Sequence, residues 1–137
     1  MLIAGLVAEH AHHNRALPLI TDIIQGNLEG VIASHSIAEC FVTLTRASFP
    51  ISITPAEAEQ LIHSNIVDHF AIQELSAKDY LVTTKHMRQI SRGGPILYDA
   101  LLLRAAEVSG AERIYTFNIS DMRSLATDAI LTRIVAP

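Results

Sequence analysis

Gly30-Val31-Ile32-Ala33-Ser34-His35-Ser36-Ile37-Ala38-Glu39 joins a short apolar run directly to a helix-start pattern. Val31-Ile32-Ala33 reads as a short buried strand, the kind of continuous apolar run that a strand covered on both faces requires. Ser36 is expected to cap the next helix, with Glu39 three residues on completing a capping-box spacing. Ile37, Cys40, Phe41 and Leu44 supply that helix with an apolar face, and Ser48 to Pro50 are expected to end it.

The same alternation extends in both directions. On the N-terminal side, residues 1–9 form a short apolar stretch containing Gly5. Ala16, Leu17, Ile20, Ile23 and Ile24 then give a helical spacing over Ala11–Gln25, closed by Gly26, with Pro18 expected to kink or divide it. On the C-terminal side, Thr54-Pro55-Ala56-Glu57 is a second capping-box signature with proline in the first turn. His69 to Leu75 alternates as a strand, and Ser76 caps a helix running to about Ser91. Arg92-Gly93-Gly94-Pro95 is a firm break. Tyr98 to Val108 is an apolar helix stopped by Ser109-Gly110. Arg113 to Phe117 reads as a strand, Asn118 to Leu125 as a turn and short helix, and Ile130 to Val135 as a last strand. Strands separated by helices imply an α/β fold with a parallel sheet and helices on its faces, in one domain spanning 1–137.

Half of the 137 residues are hydrophobic and 18% are charged, which excludes a disordered chain. The single cysteine, Cys40, excludes an internal disulfide and a cysteine-based zinc cage, and a reducing, cytoplasmic setting is expected. The N-terminal apolar run is too short to span a membrane and lacks a signal-peptide layout. A net charge of −4 argues against a passive nucleic-acid binder. It argues less against an enzyme that gathers acids around a metal.

Glu39, Asp99 and Asp121 stand where packing alone does not call for a charge. Glu39 lies early in its helix, Asp99 opens an otherwise oily one, and Asp121 comes after the strand Ile114-Tyr115-Thr116-Phe117 with Asn118 nearby. Each has a bland reading, as a cap, as a carboxylate favoured at a helix start, or as a turn former. Together they suggest a hard divalent cation, since Mg²⁺ and Mn²⁺ take oxygen ligands. Such a site can orient a phosphodiester and activate water.

These segments resemble the PIN-domain ribonucleases. Gly30 to Glu39 with Leu44-Thr45-Arg46 is similar to that family's second acidic motif. Arg92-Gly93-Gly94-Pro95-Ile96-Leu97-Tyr98-Asp99-Ala100 resembles the third. Ile114 to Met122 resembles the fourth, with Met122 where phenylalanine is commoner, and Arg133 to Pro137 resembles the usual chain end. The likeness covers essentially the whole chain and is nearest to VapC-type toxins. It implies a three-layer α/β/α fold around a central parallel sheet, and a Mg²⁺- or Mn²⁺-dependent endoribonuclease, usually a homodimer, held inactive by a VapB-type antitoxin. On that likeness Glu39, Asp99 and Asp121 are metal-site acids, while Asn118 and Thr116 support them by hydrogen bonding. Arg92 and Arg46 are candidates to hold RNA phosphates, and Lys85 and Arg88 cluster with Arg92.

One departure bears on the whole reading. The family begins with a strand ending in Asp-Thr-Asn or Asp-Thr-Ser, whereas Met1 to Ala8 matches the segment located just after that motif. The first strand and its aspartate are therefore expected to be missing, leaving an N-terminally truncated, poorly active and less stable domain. The rival expectation is a catalytically impaired PIN remnant that binds RNA or antitoxin. Two further features carry less: His12 and His13 are adjacent and suit chelation poorly, with His10 beside them, and nothing pairs Cys40 with a base.

Overall fold

The computed structural model describes residues 1–46, 49–50 and 52–137. The chain is mixed α/β and mostly helical. In order it runs α1 (Leu2–Leu6), α2 (His13–Ile24), β1 (Gly30–Ala33), α3 (His35–Arg46), α4 (Pro55–Ile62), a π-helical turn (His63–Val67) and β2 (Phe70–Gln73). Next come α5 (Ala77–Gln89), α6 (Leu97–Ser109), β3 (Ile114–Tyr115), α7 (Ile119–Leu125), a 3₁₀ turn (Leu131–Arg133) and β4 (Ile134–Val135). The described strands form two two-stranded sheets, β1 with β2 and β3 with β4. The chain packs as two compact units, one of residues 1–30 and 34–72, the other of residues 31–33 and 73–137.

In the first unit α1 lies against α2. Gly5 makes that approach possible, because a Cβ there would stand 2.5 Å from Ile20 Cγ1. The His13 ring donates to the Ala4 carbonyl at 2.9 Å, pinning the two helices at a second point. The α2 helix continues through Pro18 as one undivided element. Ala16, Ile20 and Ile23 form its buried side.

The α3 helix begins two residues earlier than the sequence pattern suggests. Ser36 is buried inside the first turn instead of capping it, and Glu39 falls in the second turn, exposed. The expected Ser36–Glu39 capping box is therefore absent. Cys40 and Leu44 point inward, and burial pushes the Cys40 thiol up to about 11, with the chain-start amine partly opposing this. The expected helix end at Ser48 lies outside the described residues.

The α4 helix opens on the capping box read from Thr54 and Glu57: Thr54 N donates to Glu57 Oε2 at 2.8 Å, and Glu57 N donates to Thr54 Oγ1 at 3.3 Å. It runs on into the π-helical turn, which buries Ile66 and leaves His63 beside Asp68 at 3.2 Å.

The second unit is built on a helical hairpin. Ser76 and Asp79 form the reciprocal cap of α5. Arg104 of α6 reaches back to Asp79, so the C-terminal half of α6 lies beside the start of α5. The connection through residues 90–96 then places the end of α5 next to the start of α6. Gly110, at φ 73°, ends α6 in the left-handed conformation, and Ala111 N bonds the Ala106 carbonyl at 3.0 Å.

β3 is shorter than the expected Arg113–Phe117 strand and pairs parallel with β4, Ile114 opposite Ile134. The expected strand over Ile130–Val135 is largely a 3₁₀ turn, with only Ile134 and Val135 extended. Ile130 and Ile134 are both buried, and a four-residue step between apolar residues satisfies a helical turn as readily as strand alternation. Met87, Ala100, Leu103, Ile114, Met122, Leu125, Ile130 and Ile134 make the core of this unit. Met122, where the resembling family favours phenylalanine, is thus a packing residue. Among the described residues no helix is long and apolar enough to cross a membrane.

Candidate functional site

The site begins where β3 ends. Thr116 N donates to the Val135 carbonyl at 3.1 Å, carrying the strand pairing one residue beyond Tyr115. Its hydroxyl then accepts from Asn118 N at 3.0 Å, a side-chain-closed turn that swings the chain into α7. Asn118 occupies the position before the first helical residue, yet its side chain makes no capping bond. It is directed at Asp121, one turn on, with Nδ2 2.7 Å from Oδ2. Threonine, asparagine and aspartate are thus linked in sequence at the carboxyl end of a parallel strand, where ligands gather in open α/β sheets.

Asp99 comes to the same place from the hairpin. It is the third residue of α6, half-buried above Ala100 and Leu101, which face the core. Burial raises its carboxyl above the usual range, and the neighbouring negative charge of Asp121 adds to the rise. A carboxylate disfavoured in this way is relieved by a nearby positive charge.

All donors in this cluster are oxygens or an amide, the chemistry that suits Mg²⁺ or Mn²⁺ in place of zinc or copper. Mg²⁺ is commonly held by one or two carboxylates and keeps several waters, and Asp99 and Asp121 are carboxylates of that kind. Among the described residues there is no group of three or more His, Cys, Asp or Glu able to hold a metal.

The structure therefore brings together Asp99, Asp121, Asn118 and Thr116. Glu39 and Arg46 belong to the first unit, both exposed on α3. Arg92 is exposed in the connection leading to α6, between Ser91 (φ 55°) and Gly94 (φ 82°), both left-handed. The histidines serve the start of α2. His12 N donates to His10 Nδ1 at 3.1 Å, and burial, then the neighbouring charges, hold the His10 pKa down.

Two features went unread in the sequence. Lys78 stands seven residues before Lys85, a spacing that already places both on one helix face. A cavity of about 50 Å³ in the second unit is lined by Thr83, His86, Arg104 and Thr127 among others, and the Thr127 hydroxyl is buried with no hydrogen-bond partner among the described residues. His86 donates to the Leu125 carbonyl at 2.8 Å beside it.

No family model, curated protein or solved structure matches the chain.

Proposed function

We propose that this protein is a divalent-metal-dependent endoribonuclease of the VapC toxin type, built on a PIN-like three-layer domain with a central parallel sheet. The observation that carries the reading is the nearness of Asp99 to Asp121, whose charge adds to the rise of the Asp99 carboxyl, with Asn118 bonded to Asp121. The order of the acidic motifs along the chain supports it. Asp99 and Asp121 are the acids assigned to Mg²⁺ (or Mn²⁺), and the family likeness alone adds Glu39 to them. The ion, when bound, polarises a phosphodiester and supplies an activated water. Asn118 fixes the rotamer of Asp121, and Thr116 fixes Asn118 through its backbone. A bound cation would favour the ionised form of Asp99, which burial and the charge of Asp121 disfavour. Arg92 and Arg46 contact RNA phosphates. The protein works in the cytoplasm as a homodimer and is silenced by a VapB-type antitoxin.

The decisive measurement is hydrolysis of RNA by the purified chain with Mg²⁺, with EDTA, and with Asp99→Asn. Metal-dependent cleavage lost in the variant is the expected result; cleavage that survives both EDTA and Asp99→Asn overturns the metal mechanism. A second reading, a catalytically impaired relative that binds RNA or antitoxin, is favoured by the lean donor set, with no group of three acids or histidines among the described residues. It predicts RNA binding without cleavage at any Mg²⁺ concentration.

A further inference from the structure

The net charge of −4 conceals a marked asymmetry. Eight of the ten basic residues lie in the second unit, against seven of the fourteen acids, so this unit is slightly basic while the first is strongly acidic. Four of those eight are tied down. Arg104 pairs with Asp79 and Glu107, Arg113 reaches the Tyr115 hydroxyl, and Arg123 and Arg133 bond the Ile134 and Ala111 carbonyls. The other four are Lys78, Lys85, Arg88 and Arg92. All are exposed, and none of their side chains makes a hydrogen bond or ion pair among the described residues.

Their placement is ordered. Steps of seven and three residues keep Lys78, Lys85 and Arg88 on one side of α5. The opposite side is the packed one, with Thr83 and Met87 buried. No acid shares the cationic face, because Asp79 is turned toward Arg104. At 1.5 Å per residue the row from Lys78 to Arg88 covers roughly 15 Å, and Arg92 follows just past the helix end, its amide bonded to the Met87 carbonyl at 2.9 Å. The hairpin fixes its direction: the Asp79–Arg104 contact marks the far end, and Arg88 and Arg92 lie at the end where α6 begins with Tyr98 and Asp99.

We infer that Lys78, Lys85, Arg88 and Arg92 form a phosphate-binding ridge that lays an RNA backbone along α5 and leads it to Asp99. The inference rests on the ribonuclease reading and adds the surface that holds the substrate. Free cations in a row, with no acid among them, match a polymer carrying one negative charge per nucleotide.

The test is binding of a fluorescein-labelled single-stranded RNA to the full chain in EDTA, read by anisotropy across a salt series. At ~0.7 per phosphate contact, replacing all four cations by glutamine lowers the log–log salt slope by about 3. The expected loss of affinity at low salt is at least tenfold. Arg88→Lys with Arg92→Lys, which keeps the charge, retains the slope and shows that the surface is intact, and Arg113→Gln serves as the control for simple loss of charge. RNA bound equally well by the wild type and the fourfold variant overturns the ridge while leaving the ribonuclease reading in place. No RNA binding by the wild type overturns both. Poly-L-glutamate bound through the four cations, with RNA unaffected by their loss, assigns the ridge to an acidic protein and overturns it as an RNA surface.

Discussion

Arg104 sets two of its nitrogens, Nε and Nη2, 3.0 and 2.8 Å from a single carboxylate oxygen of Asp79. The same carboxylate uses its other oxygen to close the Ser76 cap. One aspartate therefore both starts α5 and ties it to α6, and the hairpin that carries Asp99 depends on this contact for its register.

That double duty makes Asp79 a source of acid sensitivity. The Ser76 hydroxyl, then Arg104, then the Ser76 amide hold its carboxyl down at about 2. A folded-state value below the unfolded one contributes stability above the ordinary carboxylate range, and the contribution is lost as pH falls toward 2. Thermal melts from neutral to strongly acid pH should show Asp79→Asn losing less stability than the wild type over that interval. Parallel curves would separate the contact from the pH response.

Asp99 has the opposite sign. Its raised value means that the ionised form is disfavoured by folding, so its contribution is greatest at low pH and disappears as pH rises through the folded value. Asp99→Asn should melt higher than the wild type at neutral pH, with the two converging in acid. Mg²⁺ should raise the melting temperature of the wild type and leave that of the variant unchanged. A variant less stable at neutral pH contradicts the burial and repulsion assigned here.

Gly30 is held by lack of space. A Cβ would stand 2.6 Å from Phe70 Cδ1 and 2.7 Å from Ile23 Cγ2. Gly30→Ala should cost ~1–3 kcal/mol, as overpacked sites do, read as a lower urea midpoint at unchanged slope.

The three serine and threonine cap positions should separate cleanly. Thr54→Ala and Ser76→Ala each remove a formed capping box and should cost about 1 kcal/mol. Ser36→Ala removes no cap and gains helix propensity of roughly 0.5 kcal/mol, so it should be neutral or slightly stabilising. Equal losses at all three in chemical denaturation would restore Ser36 to the cap.

That contrast marks where sequence reading worked and where it stopped. The Thr54/Glu57 box and the Ser76 cap were legible because a cap is a local bargain between residues three apart. Ser36 offered the same spacing, but His35 already has helical geometry and packing draws the serine inside. The end of α6 was legible because Gly110 accepts a left-handed backbone. The final strand was misread because Ile130 and Ile134 fit two periods, and the choice between them is made by the core they enter. Asn118 with Asp121 was readable as a pair, and Asp99 as an acid in an oily helix. Their meeting depends on how β3 and the α5–α6 hairpin pack, which no local pattern encodes. The π-helical turn at His63–Val67 gave no signal at all.

Cys40, buried on α3 with its thiol pushed up to about 11, turns the protein into its own stopwatch. Thiolate is the form that reacts, so a folded first unit hides the chain's one sulfhydryl from alkylating reagents by both access and ionisation. Each labelling event then reports a moment when that unit has opened. The rate of modification, recorded with and without denaturant, measures how often the unit breathes, with no probe added and no residue changed.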